Sequence, residues 1–168
     1  MKRYALIRKM DVSNGEGIGI SLFVQGCHFH CKNCFNPETW DFEGGKEWND
    51  DVKKRFLELA SNEHVHRISI LGGEPLCEEN AETVLDLCKE IKDLYPNKKI
   101  WVYTGYTWEE LFQKHINKEA LNNVDVLVDG PYKDELQDFN LMFRGSSNQR
   151  VIDVKQSIKR GEVITLYG

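Results

Sequence analysis

Short apolar and β-branched runs alternate along this chain with segments whose apolar residues recur every three or four positions. The runs Ile18–Val24, His66–Leu71, Lys99–Tyr103, Val124–Val128, Arg150–Val154 and Val163–Tyr167 read as strands, since such side chains suit a pleated, buried surface. Between the first two, positions 51–61 put Val52, Phe56, Leu59 and Ala60 on one helical face. Between the second and third, positions 79–95 align Val84, Leu87, Cys88, Ile91 and Leu94 in an apolar stripe, which predicts a second amphipathic helix. A third helix is expected over Thr107–Ile116, where Thr107 followed by Glu110 has the spacing of a capping box. The acidic pairs Glu78-Glu79 and Glu109-Glu110 suit first helical turns, where the dipole favours negative charge.

Strand and helix in this rhythm imply parallel pairing through right-handed crossovers. A complete eight-unit barrel takes about 250 residues. The 168 residues here therefore predict a single α/β domain spanning 1–168, with about six mostly parallel strands forming a sheet or an open part of a barrel. Positions 130–149 carry mixed charge, Gly and Ser without a helical stripe, and read as a long functional loop.

Composition narrows the class. Hydrophobic residues make up 40% and charged residues 29%, with no apolar run near the roughly 20 residues that span a bilayer, so no membrane span is expected. The start Met1-Lys2-Arg3-Tyr4-Ala5-Leu6-Ile7-Arg8 returns to charge too soon for an export signal, which places the chain in the cytoplasm. A net charge of −5 with scattered Lys and Arg argues against a nucleic-acid partner.

Three of the five cysteines fall in "GCHFHCKNC", residues 26–34. An odd cysteine count in a reducing compartment is a poor disulfide framework, so Cys27, Cys31 and Cys34 read as metal ligands. Iron–sulfur cubanes use one cysteine per iron, so three thiolates leave one iron without a protein ligand. Structural zinc is the alternative, with His28 or His30 completing four ligands. Cys88 falls on an apolar helix face and Cys77 follows a turn, and neither is counted as a ligand. The strand at 66–71 runs into Gly72-Gly73-Glu74-Pro75: glycines where backbone must be approached, then a carboxylate suited to an ammonium group. Ligands of parallel α/β sheets bind outside the carboxyl ends of strands, so this turn and the cysteine loop are expected to face one another.

These features resemble the radical S-adenosylmethionine superfamily, in which a cysteine triplet holds a four-iron cluster and a GGE turn binds the methionyl amino group. Asn14-Gly15-Glu16-Gly17, Leu22–Cys27, Cys34–Trp40, Tyr103–Tyr106, Val128–Tyr132 and Arg144–Arg150 extend the similarity to nearly the whole chain, toward the activating proteins of anaerobic ribonucleotide reductase. The resemblance implies a partial βα barrel of the radical S-adenosylmethionine type, a [4Fe-4S] cluster on Cys27, Cys31 and Cys34, and S-adenosylmethionine as cosubstrate. It further implies a glycyl radical installed on the large subunit of that reductase, with a low-potential electron donor such as flavodoxin. Thr104 and Asp129, at strand ends, would touch the cosubstrate or a bound cation; Asn148 and Arg150 would take its carboxylate. Many members carry an aromatic residue just before the third cysteine to pack on adenine; here that residue is Asn33, and Phe35 is the substitute. The rival readings are an activase of pyruvate formate-lyase type, a small radical enzyme on a pterin-like precursor, and a non-catalytic zinc or iron–sulfur interaction module.

Overall fold

The computed structural model describes residues 1–114 and 116–168. Its strands are β1 (Arg3–Asp11), β2 (Gly19–Val24), β3 (Lys46–Glu47), β4 (Arg67–Gly72), β5 (Lys99–Tyr103), β6 (Val126–Asp129), β7 (Arg150–Asp153) and β8 (Thr165–Leu166). Its α-helices are α1 (Asp50–Ala60), α2 (Glu78–Leu94), α3 (Trp108–Gln113) and α4 (Val154–Arg160). All eight strands share one mixed sheet in the order β3-β1-β2-β4-β5-β6-β7-β8.

The six strands read from sequence are present, in a sheet whose pairing is mixed. β2, β4, β5 and β6 pair parallel with one another, whereas the pairings through β1 to β3 on one side and through β7 to β8 on the other are antiparallel. The physical reason lies in the connections. A helix carries the chain back from β2 to β4 and from β4 to β5, whereas β6 reaches β7 through positions 130–149 without an α-helix, so the chain returns in the opposite direction. β1 escaped the sequence reading because Arg8, Lys9 and Met10 follow one another and are all exposed, which breaks the alternation.

The helix signals correspond closely to the observed helices. Asn49 caps α1 by accepting from the Val52 amide at 3.0 Å, and Thr107 caps α3 by accepting from the Glu110 amide at 3.2 Å. The expected third helix ends at Gln113; its predicted extension crosses His115, which lies outside the described residues. Val154, read as a strand end, instead opens α4, capped by Asp153 accepting from the Gln156 amide. No described helix is long and apolar enough to cross a membrane.

Period-two alternation gives the parallel strands two chemically distinct faces. Ile20, Leu22 and Val24 of β2, Ile68 and Ile70 of β4, Ile100 and Val102 of β5, and Leu127 of β6 join one buried core with Phe56 of α1, Leu87 and Ile91 of α2, and Leu111 of α3. Phe23, Leu71, Tyr103 and Val128 point the other way and line a cavity. Lower on that face Trp101, Val126 and Val151 pack with Phe143 from the long loop.

Beneath the cavity lies a buried charged pair. Arg67 and Asp11 are each almost wholly buried, with Arg67 Nη1 3.9 Å from Asp11 Oδ2. The guanidinium also donates to the Asp11 carbonyl at 2.5 Å and to Ser69 Oγ at 2.6 Å, and reaches the carbonyls of Glu16 and Gly17. Burial pushes the Asp11 carboxyl up, but hydrogen bonds from Ser21, Asn14 and Ser13 and the Arg67 charge outweigh it and hold the pKa at about 2. This pair ties the 11–18 turn to the starts of β2 and β4. Replacing Asp11 by Ala strands the guanidinium without its anion, and urea denaturation should show a loss of about 3–5 kcal/mol. In the wild type this contribution is complete above about pH 3.8 and disappears as pH falls through about 2.

Candidate active site

The four parallel strands deliver their carboxyl ends to one rim. After β2 the chain turns at Gly26 (φ 103°), and the Gly26 amide donates to the Thr39 carbonyl at 2.7 Å. The loop that follows holds the cysteines. His30 (φ 46°) and Asn33 (φ 57°) sit in the left-handed region, so a sharp bend precedes both Cys31 and Cys34. Asn tolerates that backbone better than most residues, and the Asn33 amide also donates to Asp134 Oδ2 at 2.9 Å. Asn33 thus shapes the loop and ties it to the segment after β6.

Cys27, Cys31 and Cys34 are free, partly exposed thiols lining one cavity of about 600 Å³. Backbone amides approach each sulfur: Phe29 and His30 at Cys27, Tyr132 at Cys31, and Asn36 at Cys34, the last at 3.4 Å. Burial nevertheless pushes the Cys27 and Cys31 thiols above their ordinary value. Coordination to a metal cation would reverse that logic, because the cation's charge favours loss of the thiol proton.

Among the described residues, no three His, Cys, Asp or Glu side chains converge on a point that would hold a single metal ion. His28 is engaged with Glu79 at 2.5 Å and with the Phe42 ring, and His30 stacks on Trp40 at 4.6 Å. The closed four-ligand set that structural zinc requires is therefore not formed here. Three thiols with amides aimed at their sulfurs fit a larger cluster, since hydrogen bonds to cysteine sulfur are a recognised means of tuning such centres.

The turn after β4 meets the turn after β2 backbone to backbone. The Glu74 amide donates to the Gly26 carbonyl at 2.7 Å, and the Gly73 amide donates to the Val24 carbonyl at 2.9 Å. A Cβ on Gly73 would lie 2.5 Å from the Gly26 carbonyl oxygen, and one on Gly72 (φ 106°) would lie 2.8 Å from Phe23 Cα. The paired glycines therefore first serve the close approach of these two chains.

Glu74 is 2% exposed and clamps two strand ends. Its Oε2 accepts from the Leu76 amide at 2.8 Å and Thr104 Oγ1 at 2.7 Å, and its Oε1 accepts from the Gly105 amide at 2.6 Å. Burial raises its pKa to about 7, against those three donors, which favour the ionised form. Phe29 from the cysteine loop packs over Gly105 and edge-on to Tyr106 at 4.9 Å, which fastens the loop to the end of β5.

Asp129 and Arg150 form an ion pair with each other. Asp129, 1% exposed, accepts from the Trp108 amide at 2.8 Å and from Arg150 Nη2 at 2.6 Å, and Arg150 also reaches Glu109 at 2.7 Å. Asn148 donates to the Pro131 carbonyl at 2.8 Å. None of these three lines the cavity, whereas Gly72, Gly73, Glu74, Thr104 and Phe35 do. Phe35, 60% exposed, lies against Tyr132 with ring centroids 4.9 Å apart. The cavity wall also holds Tyr103, Arg8, Tyr132, Phe143 and Arg144, which the sequence reading did not single out as site residues. For Tyr103 a signal was available: it has the parity along β5 that faces away from the helices.

Three thiols and a buried carboxylate clamp thus share one cavity at the carboxyl ends of parallel strands. A family model described as "4Fe-4S single cluster domain" matches residues 13–152. Anaerobic ribonucleoside-triphosphate reductase-activating proteins are similar over most of the chain. That of Haemophilus influenzae is 38% identical over 141 residues, covering 83% of this chain and 90% of the relative. Those of Pasteurella multocida and Escherichia coli K12 are each 35% identical, over 83% and 84% of this chain and 89% and 92% of the relatives. The chain belongs to the family of anaerobic ribonucleoside-triphosphate reductase-activating proteins.

The Glu74 clamp has a pH signature. A carboxyl whose folded pKa is raised contributes stability that is complete below its ordinary value of about 4.5 and is lost as pH rises through about 7. Thermal denaturation of the metal-free chain should show stability falling across that window in the wild type and not in Glu74→Gln; parallel curves would refute the assignment.

Proposed function

We propose that this protein is a radical S-adenosylmethionine activase that installs a glycyl radical on anaerobic ribonucleotide reductase. One observation carries the reading: the cysteine loop and the Gly72–Glu74 turn are joined by direct backbone hydrogen bonds at the carboxyl ends of β2 and β4, facing one cavity. The names of the relatives supply the target, and the matched family supplies the iron–sulfur cofactor. Four parallel strands with helices on one face and the cavity on the other support an open partial barrel, and a single sheet joining strands from both ends of the sequence supports one domain over 1–168.

Cys27, Cys31 and Cys34 would hold the cluster, and among the described residues no fourth thiol lines the cavity, so the cosubstrate rather than a cysteine would complete the ligand set. When bound, the reduced cluster supplies the electron that cleaves the carbon–sulfur bond of S-adenosylmethionine, which ends as methionine and, with a hydrogen atom taken from glycine, 5′-deoxyadenosine. Glu74 and Thr104 fix the rim that receives the amino-acid end of the cosubstrate. Phe35 and Tyr132 offer an aromatic surface for adenine in place of the residue at Asn33. Asp129 and Arg150 act as a brace that joins the end of β6 to β7 and α3, and Asn148 holds the loop base; their contribution is to position. The electron comes from a low-potential donor such as flavodoxin. Five free cysteines agree with a reducing cytoplasm.

Anaerobically purified protein should be brown, lose colour in air and carry close to four irons per chain. Cys27→Ala, Cys31→Ala and Cys34→Ala should each abolish reductive cleavage of S-adenosylmethionine. Cys88→Ala, in the helix-side core, should retain it. Mixed with S-adenosylmethionine and the reductase, the reduced wild type should give a glycine doublet in electron paramagnetic resonance. A colourless, air-stable protein with one zinc would sink the reading.

A further inference from the structure

Tyr103 closes β5 on the cavity side, one residue before the Thr104 that holds Glu74. Its hydroxyl is buried and, among the described residues, has no hydrogen-bond partner. A buried hydroxyl without a partner costs about 1–3 kcal/mol, so a group left in that condition on a cavity wall is unfinished until a ligand arrives. Burial raises the phenol's pKa, with Arg67 opposing and Asp11 adding to the effect, so the group is protonated and able to donate.

The hydroxyl's surroundings indicate which ligand it serves. The charges that act on it are those of Arg67, the first residue of β4, and Asp11, which pairs with the first residue of β2. The Tyr103 ring also packs against the cluster of Trp101, Val126, Val128 and Val151, on the part of this face below the rim that carries the thiols and Glu74. On the opposite wall the Arg8 guanidinium lies over the Phe23 ring of β2, 5.0 Å from its centroid. Two strand spacings of ~4.8 Å separate β2 from β5, about 10 Å, close to the reach of three extended residues at ~3.3 Å each. Between these walls β4 presents Leu71, and Phe23 and Val128 continue the apolar surface on β2 and β6.

A glycine offers no side chain to grip. Only the amide and carbonyl groups beside it can fix its Cα, and each needs a partner once it leaves water. Resting on the function proposed above, we propose that the Tyr103 hydroxyl donates to a main-chain carbonyl adjacent to the substrate glycine, which holds the extended protein segment across the cavity. Tyr103 is then a binding residue for the protein substrate and not for S-adenosylmethionine.

The test uses Tyr103→Phe in the cluster-loaded enzyme with the intact reductase. Removing an unpartnered hydroxyl should leave thermal stability unchanged or slightly raised, and cosubstrate cleavage without reductase should stay within twofold of wild type. The efficiency of glycyl-radical formation should fall about tenfold, mainly through KM for the reductase, as expected for one lost hydrogen bond. Wild-type radical formation by Tyr103→Phe overturns the assignment alone, as does an equal loss of partner-independent cleavage. If the wild type cleaves the cosubstrate yet leaves no radical on the reductase, the proposed function fails and this assignment falls with it.

Discussion

Everything at the rim depends on two chain segments coming closer than side chains permit. Where β2 and β4 end, the Gly26 carbonyl accepts from the Glu74 amide, and neither Gly72 nor Gly73 has room for a Cβ against Phe23 and Gly26. That contact sets the cysteine loop against the turn that carries Glu74. A wider junction would separate the thiols from the carboxylate clamp, and the cavity would lose its shared wall.

From that junction the order spreads laterally through charge and hydrogen bonding. Glu74 joins β4 to β5 through Thr104 and Gly105, and Asp129 joins β6 to β7 and α3 through Arg150 and Trp108. The two carboxylates solve the same problem differently. Asp129 is neutralised by a guanidinium, whereas Glu74 is held by neutral donors alone, and burial shifts its pKa to about 7. A carboxylate without a countercharge beside the cavity is suited to a cationic ligand, because an ammonium group supplies the missing charge.

The segment after β6 completes the enclosure without regular structure. Gln149 accepts from the amides of Gly145 and Ser146 and donates to the Gly130 carbonyl, which closes the loop at its base. Asn33 and Asp134 then join it to the cysteine loop, and Phe143 packs on Trp101 at the cavity's lower edge. Such a loop can follow the outline of the cavity because its backbone groups are satisfied by its own side chains rather than by a ladder.

The periodicity of apolar residues made β2, β4, β5, β6, β7, β8 and helices α1 and α2 legible, though not β1 or β3, since burial on a sheet or helix face imposes a local repeat. The cysteine spacing and the GGEP turn were equally legible, because those constraints act within a few residues. The antiparallel edges, the mutual pairing of Asp129 with Arg150, and the cavity walls made by Arg8 and Tyr103 were not. Each depends on which residues meet across distant segments: Arg150 reads in sequence as a free cation fit for a carboxylate ligand, and only the sheet register, which places it beside Asp129, gives it a partner from within the chain. Local pattern determined the elements and the chemistry they carry; tertiary structure decided which polar groups are already satisfied and which still face an open cavity, because hydrogen bonding is settled by contact in space and not by separation along the chain.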